Sequence, residues 1–251
     1  MRRIMLVVAY DGTAYHGWQE QKNASTIESE LNKALSDLNG VETKVIGASR
    51  TDAGVHAMGN VAVFDTELSM DAQRFAYALN TRLPSDIKVQ SSRQVPSDWH
   101  PRKQDSIKTY EYRIYRKRID HPLKNRYAYF CYYQLDVNLM RQASSYFIGE
   151  HDFASFCTPV KYEKNTARII YSLSIEEDGD MIVITIRGNG FLYNMVRIIV
   201  GTLVQVGMGA YAPEHVVEIM AAKDRQKAGP TVPAAGLTLV DIEYFSLEDE
   251  Y

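Results

Sequence analysis

The spacing of apolar residues changes repeatedly between residues 4 and 95, and this limits the fold more than any other feature of the chain. Ile4 to Tyr10 is a continuous apolar run ended by Asp11-Gly12-Thr13, so it predicts a buried first strand followed by a turn. Ser25-x-x-Glu28 has the form of a capping box. Behind it Ile27, Leu31, Ala34, Leu35 and Leu38 recur at helical spacing until Gly40. Val45-Ile46 and Val61 to Phe64 read as strands. Asp71 to Arg82 predicts a helix with Phe75, Ala78 and Leu79 inward, ended by Pro84, and Ile87 to Val95 a further strand.

Beyond a connector bounded by Pro96 and Pro101, Ile107 to Arg116 alternates as a long strand and Leu135 to Ile148 reads as a helix. Arg168 to Glu177 and Met181 to Arg187 are strands joined by Asp178-Gly179, a hairpin signal. Phe191 to Val206 is an apolar helix that Gly201 is expected to break. Pro213 opens another helix, and Leu237 to Phe245 is a closing strand. The first half thus runs β-α-β-loop-β-α-β and the second β-α-β-β-α-α-β. The pattern predicts an α+β chain of two related modules, 1–103 and 104–251, with strands covered by helices and a binding cleft expected where the modules meet.

Composition removes several classes of function. The 251 residues, 45% hydrophobic and 24% charged, are those of a globular protein in water. Cys131 and Cys157 are the only cysteines, too few for a four-cysteine zinc site or a disulfide framework, so a reducing cytoplasm is expected. No stretch approaches the ~18 uninterrupted apolar residues of a membrane span. The net charge of −3 argues against a uniformly cationic surface. Locally the balance reverses, because Arg102, Lys103, Lys108, Arg113, Arg116, Lys117, Arg118, Lys124 and Arg126 face only Asp105, Glu111 and Asp120. The acidic run Glu248-Asp249-Glu250 hides this in the total. Tyr110, Tyr112, Tyr115, Tyr127 and Tyr129 interleave with these cations, a pattern that suggests nucleic acid as a partner.

One loop concentrates chemical groups. Gly47-Ala48-Ser49-Arg50-Thr51-Asp52-Ala53-Gly54-Val55-His56-Ala57 lies between two strand-like runs and crowds Arg, Thr, Asp and His onto small-residue backbone. There is no G-x-S-x-G elbow, no phosphate-binding glycine loop and no H-E-x-x-H; nothing asks for a metal or another cofactor. What remains is Asp52 beside Arg50. An aspartate can serve as nucleophile, base or electrostatic stabiliser. The residues alone leave three readings open: an enzyme acting on RNA, a non-catalytic nucleic-acid-binding module, and a small-molecule enzyme.

The loop resembles the signature of the TruA family of tRNA pseudouridine synthases. So, in the family's order, do Tyr10-Asp11-Gly12-x-x-Tyr15-x-Gly17-Trp18-Gln19, Lys108-Thr109-Tyr110-Glu111-Tyr112, Asn194-Met195-Val196-Arg197-x-x-Val200-Gly201 and Ala235-Gly236-Leu237-x-Leu239. The resemblance spans nearly the whole chain. It implies the pseudouridine synthase fold: two ferredoxin-like modules forming a mixed, mostly antiparallel central sheet with helices on its face. It implies an isomerase without a cofactor that acts as a cytoplasmic homodimer. The substrates would be uridines at positions 38, 39 and 40 of the tRNA anticodon stem-loop. Each is detached from its sugar, turned over and rejoined through carbon 5. Asp52 takes the place of the family's catalytic aspartate. Tyr110 would stack on the target base and Arg197 would pair with Asp52. Arg50 would contact RNA phosphate or fill the space left by the displaced nucleotide, and Leu237 would wall the base pocket. Thr51 and His56 would brace the loop, and Gly47 and Gly54 would leave room for an extruded nucleotide.

Overall fold

The apolar run that opens the chain becomes β1 (Arg2–Tyr10) of a computed structural model, which describes residues 1–160 and 165–245. The acidic run Glu248-Asp249-Glu250 lies outside the described residues. The chain divides into two units, Met1–Ser106 with the C-terminal strand from Thr238, and Ile107–Leu237.

In the first unit β1 is the middle strand. It pairs antiparallel with β3 (His56–Thr66), Ile4 opposite Phe64 and Leu6 opposite Ala62, and with β4 (Ile87–Val95), Ile4 opposite Gln94. Further along β3, the two-residue strand β2 (Ile46–Gly47) pairs antiparallel at Ala62 and Val63. Helix α1 (Ile27–Asn39) buries Ile27, Leu31, Ala34 and Leu35, as its spacing requires, and Gly40 ends it at φ 71°. Its cap differs from the expected Ser25 and Glu28. Thr26 accepts from the Ser29 N–H, and the Ser29 hydroxyl oxygen accepts from the Thr26 N–H, because the chain enters the helix one residue later. Helix α2 (Arg74–Asn80) is shorter than 71–82. It buries Phe75 and Leu79, and the Phe75 ring meets Phe64 of β3 edge-on at 5.4 Å.

In the second unit, β5 (Ser106–Arg116), β6 (Tyr129–Cys131), β7 (Gly149–Asp152), β8 (Ala167–Asp178) and β9 (Met181–Gly188) form a sheet ordered β6-β5-β9-β8-β7. All pairings are antiparallel except β5 with β6. The expected hairpin at Asp178-Gly179 joins β8 to β9. The helices are α3 (Val137–Ser145), α4 (Met195–Gly207) and α5 (His215–Ala222). Gly201 does not break α4. A Cβ there would stand 1.8 Å from the Pro230 carbonyl oxygen, so the glycine lets another segment cross a continuous, almost wholly buried helix.

The order of the chain places the last strand, β10 (Leu237–Tyr244), in the second module. Thr238 and Leu239 run parallel to His56 and Ala57 of β3, so the strand adds to the sheet of the first unit. Each unit is an α+β module, and each sheet is mixed but mostly antiparallel.

Candidate active site

Asp52 lies on the loop between β2 and β3, half-buried between buried Thr51 and exposed Ala53. Its backbone carbonyl accepts from the Val55 N–H at 3.1 Å, which closes a tight turn through Ala53-Gly54. Arg50 is exposed. The loop is held by the segment that follows β1. The Trp18 N–H donates to the Thr51 carbonyl at 3.0 Å, and the Gly54 N–H donates to the Tyr15 carbonyl at 3.3 Å. Between these contacts Gly17 takes φ 88°, and a Cβ on it would stand 2.6 Å from the Thr51 carbonyl oxygen. Only glycine meets both demands at once.

Side chains complete the mounting. The Tyr10 hydroxyl lies 2.8 Å from the Thr51 hydroxyl, and Asn60 Nδ2 donates to the Tyr10 hydroxyl and the Ser49 carbonyl. His56 is buried at the start of β3. Its Nδ1 accepts from the Gly12 N–H at 3.1 Å and is 3.2 Å from the Asp11 carboxylate. Both neighbours belong to the turn after β1, which fits the bracing role expected of His56. Tyr15 donates to the Asp86 carboxylate at 2.7 Å; burial, then that bond, pushes its phenol well up. Arg102 Nε donates to the Gly47 carbonyl at 2.8 Å and fixes the start of the loop. Gly47 does not leave space for a nucleotide. A Cβ there would stand 2.5 Å from the Trp18 indole, so the indole already fills that space.

Tyr110, Arg197 and Leu237 belong to the second unit. Tyr110 is buried on β5 opposite Ile186 of β9, and its ring meets Phe191 edge-on at 5.2 Å. Arg197 is half-buried on α4. Its Nε donates to the Val232 carbonyl at 2.8 Å and its Nη1 to Asn194 Oδ1 at 2.9 Å. Asn194 itself caps the helix in the left-handed region at φ 61°, a conformation asparagine tolerates better than most residues. The Tyr112 hydroxyl donates to the Pro233 carbonyl at 2.7 Å. Burial pushes the Tyr112 phenol well up while the Arg197 charge pulls it back. Arg197 and Tyr112 thus pin the segment that leads into Leu237, which is buried at the head of β10.

The basic, tyrosine-rich stretch differs from expectation. Tyr110, Tyr112 and Tyr115 are buried. Arg113 pairs with Glu111 at 2.6 Å, Arg116 with Glu177 at 2.8 Å and Lys117 with Asp180 at 2.9 Å. The strand therefore turns these three tyrosines into the core, and Arg113, Arg116 and Lys117 beside them are matched locally by carboxylates. Two further residues beside these groups carry little or no signal in the sequence. Phe191 gave no signal, because its partner Tyr110 is far away in the chain. Asn60 gave a weak one, as a polar residue leading an apolar run that ends at Phe64. Among the described residues, no group of three or more His, Cys, Asp and Glu could hold a metal ion.

Comparison with known proteins agrees with this arrangement of motifs. A family model described as tRNA pseudouridine synthase matches residues 6–102 and 143–245. The chain is 46% identical over 244 residues to the tRNA pseudouridine synthase A of Thermoanaerobacter sp. (strain X514), covering 97% of this chain and 100% of that protein. It is 44% identical over the same length to that of Brevibacillus brevis, with the same coverage. It is 45% identical over 245 residues to that of Ruminiclostridium cellulolyticum, again with 97% and 100% covered. A solved archaeal box H/ACA sRNP Nop10–Cbf5 complex matches with a TM-score of 0.33 and 11% identity, over 94% of this chain and 46% of that one, a likeness too slight to carry an argument. On the family model and on relatives matched from end to end, the chain belongs to the tRNA pseudouridine synthase family.

Proposed function

We propose that Asp52 is the catalytic residue with which this chain isomerises uridine to pseudouridine at positions 38, 39 and 40 of the tRNA anticodon stem-loop. Membership of the family makes the chain an isomerase of tRNA uridines; the roles of individual residues are our reading. One observation carries it. A half-buried carboxylate stands on a loop whose backbone is bonded to the segment after β1 at both Thr51 and Gly54. Such mounting suits a group that must meet a reacting atom within about an ångström.

The isomerisation breaks the bond between sugar and base, turns the base, and forms a new bond at carbon 5, from which a proton then leaves. Asp52 serves the glycosidic step, as nucleophile or as base. Tyr110 stacks on the base, with its hydroxyl available for the carbon 5 proton, and Leu237 is an apolar wall. Arg197 and Arg50 bind substrate. Extruding a base from a stem costs a few kcal/mol, which aromatic and apolar contacts offset. The phosphate backbone supplies affinity and RNA shape supplies choice of substrate. No cofactor enters this scheme. We read the working form as a cytoplasmic homodimer; among the described residues no helix is long and apolar enough to cross a membrane.

The test is Asp52→Asn, assayed on an unmodified tRNA transcript by chemical mapping of pseudouridine at positions 38 to 40. Loss of product with tRNA still bound is expected. Normal product from that variant overturns the assignment.

A further inference from the structure

We infer that Thr51, held by Tyr10 and Asn60, is a positioning residue for the Asp52 carboxylate, an inference that rests on the reading of Asp52 as the catalytic group. Asn60 of β3 is completely buried. Its Nδ2 donates to the Tyr10 hydroxyl at 3.2 Å and to the Ser49 carbonyl at 3.0 Å. The Ser49 carbonyl can only accept, so the amide nitrogen must face it. That leaves Asn60 Oδ1 buried with no partner among the described residues. A buried amide with an unmet acceptor lowers stability, so packing alone does not account for asparagine here.

What the amide does is tie two points of the loop together. Through it the Ser49 carbonyl is linked to the Tyr10 hydroxyl, which is 2.8 Å from the Thr51 hydroxyl. The network therefore grips the residues on both sides of Arg50 and reaches the residue next to Asp52. The Thr51 carbonyl is taken by the Trp18 N–H at 3.0 Å. Thr51 is buried and held by both side chain and backbone, while Arg50 is exposed and Asp52 half-buried. The direction in which the Asp52 side chain leaves the backbone is thus set from inside the core of the first unit. Positioning of this kind governs the chemical step more than the capture of RNA.

The experiment compares Thr51→Val, Thr51→Ser, Tyr10→Phe and Asp52→Asn in the full-length chain on unmodified tRNA transcript, measuring kcat, KM and thermal melting. Thr51→Val keeps the shape and removes the hydroxyl, whereas Thr51→Ser keeps the hydroxyl. We expect Thr51→Val and Tyr10→Phe to lower kcat at least tenfold with KM within twofold, and Thr51→Ser to recover most of the loss. A purely structural role would lower the melting temperature without this split and without selective rescue. A kcat within twofold of wild type in Thr51→Val, or an equal loss in Thr51→Ser, overturns the inference. Should Thr51→Val fail to fold, Tyr10→Phe decides by the same criteria, and failure of both to fold also overturns it. Asp52→Asn separates the two levels. If it is inactive while Thr51→Val is normal, only the positioning role falls; if it turns over, the reading of Asp52 falls and the inference with it.

Discussion

Replacing Gly17 by alanine is expected to damage catalysis more than stability. Gly17 has φ 88°, and a β-carbon on it would meet the Thr51 carbonyl oxygen at 2.6 Å, the Asp52 carbonyl carbon at 3.1 Å and the Ala53 nitrogen at 3.2 Å. A left-handed backbone on an alanine costs about 1–2 kcal/mol. The clash adds a displacement. Ordinary contact begins at 3.4 Å, so the Thr51 oxygen must retreat by about 0.8 Å. That oxygen also accepts from the Trp18 N–H, so the retreat weakens a second anchor and carries Asp52 with it. Misplacing a reacting group by about 1 Å costs on the order of 100-fold in rate. We therefore expect kcat to fall by some tens of fold. The control is Gly40→Ala. Gly40 has φ 71° with nothing within 4 Å of its would-be β-carbon, so it incurs a similar backbone strain and pushes on nothing. Single-turnover pseudouridine formation on tRNA transcript, beside urea denaturation of both variants, makes the comparison. The reasoning is refuted if Gly17→Ala retains wild-type kcat, or if Gly40→Ala loses as much.

Arg197→Met removes the donors to the carbonyl of buried Val232 and to Oδ1 of half-buried Asn194. It should cost about 1–3 kcal/mol in urea denaturation and lower kcat strongly; unchanged turnover would remove Arg197 from the substrate-binding set. Phe191→Leu frees the edge of the Tyr110 ring. An aromatic pair contributes about 0.5–1.5 kcal/mol, so kcat/KM should drop roughly two- to twelvefold, and no drop would mean that Tyr110 is held without it. Asp152 is held below the usual carboxylate range first by its bond to Lys223 at 2.6 Å and then by the Thr166 hydroxyl. A lowered carboxylate contributes stability above its unfolded pKa of about 3.9 and loses that contribution as pH falls through the folded value. Asp152→Asn should thus flatten the loss of stability below about pH 4, with less than about 1 kcal/mol of change at pH 7 because the pair is largely exposed. A pH-stability curve with an unaltered acid limb would contradict this. Arg116→Gln and Lys117→Gln should leave the salt dependence of tRNA binding nearly unchanged, since Glu177 and Asp180 already match those charges; a reduced slope would return this strand to the RNA surface.

Much of the architecture was legible because the signals are local. The helical spacing from Ile27 to Leu35, the left-handed stop at Gly40 and the Asp178-Gly179 hairpin each depend on a few neighbouring residues, and each appears where its pattern lies. Errors arose where a distant segment intervened. Gly201 reads as a helix breaker until the Pro230 carbonyl is seen crossing it. Gly47 reads as open space until the Trp18 indole is found lying on it. The alternation of tyrosines and cations in β5 suggested a binding face, but alternation does not say which side is buried. Here β6 and β9 flank the strand, and Tyr110 and Tyr112 belong to the core.

The sequence by itself determined most of the element types, though not the short strands β6 and β7, together with the isolated chemical loop around Asp52 and, through its ordered motifs, the family. These are properties of short windows, governed by backbone preference, apolar period and the need for glycine. Only the tertiary structure decided which segments the motifs touch. The Tyr10 to Trp18 segment grips the Asp52 loop, Asn60 ties Ser49 to Tyr10, and the C-terminal strand joins β3 in the first unit. Each of these is a contact between groups well apart in sequence. Their hydrogen bonds and close approaches exist only once the chain has brought them together, and no local pattern specifies which partner that will be.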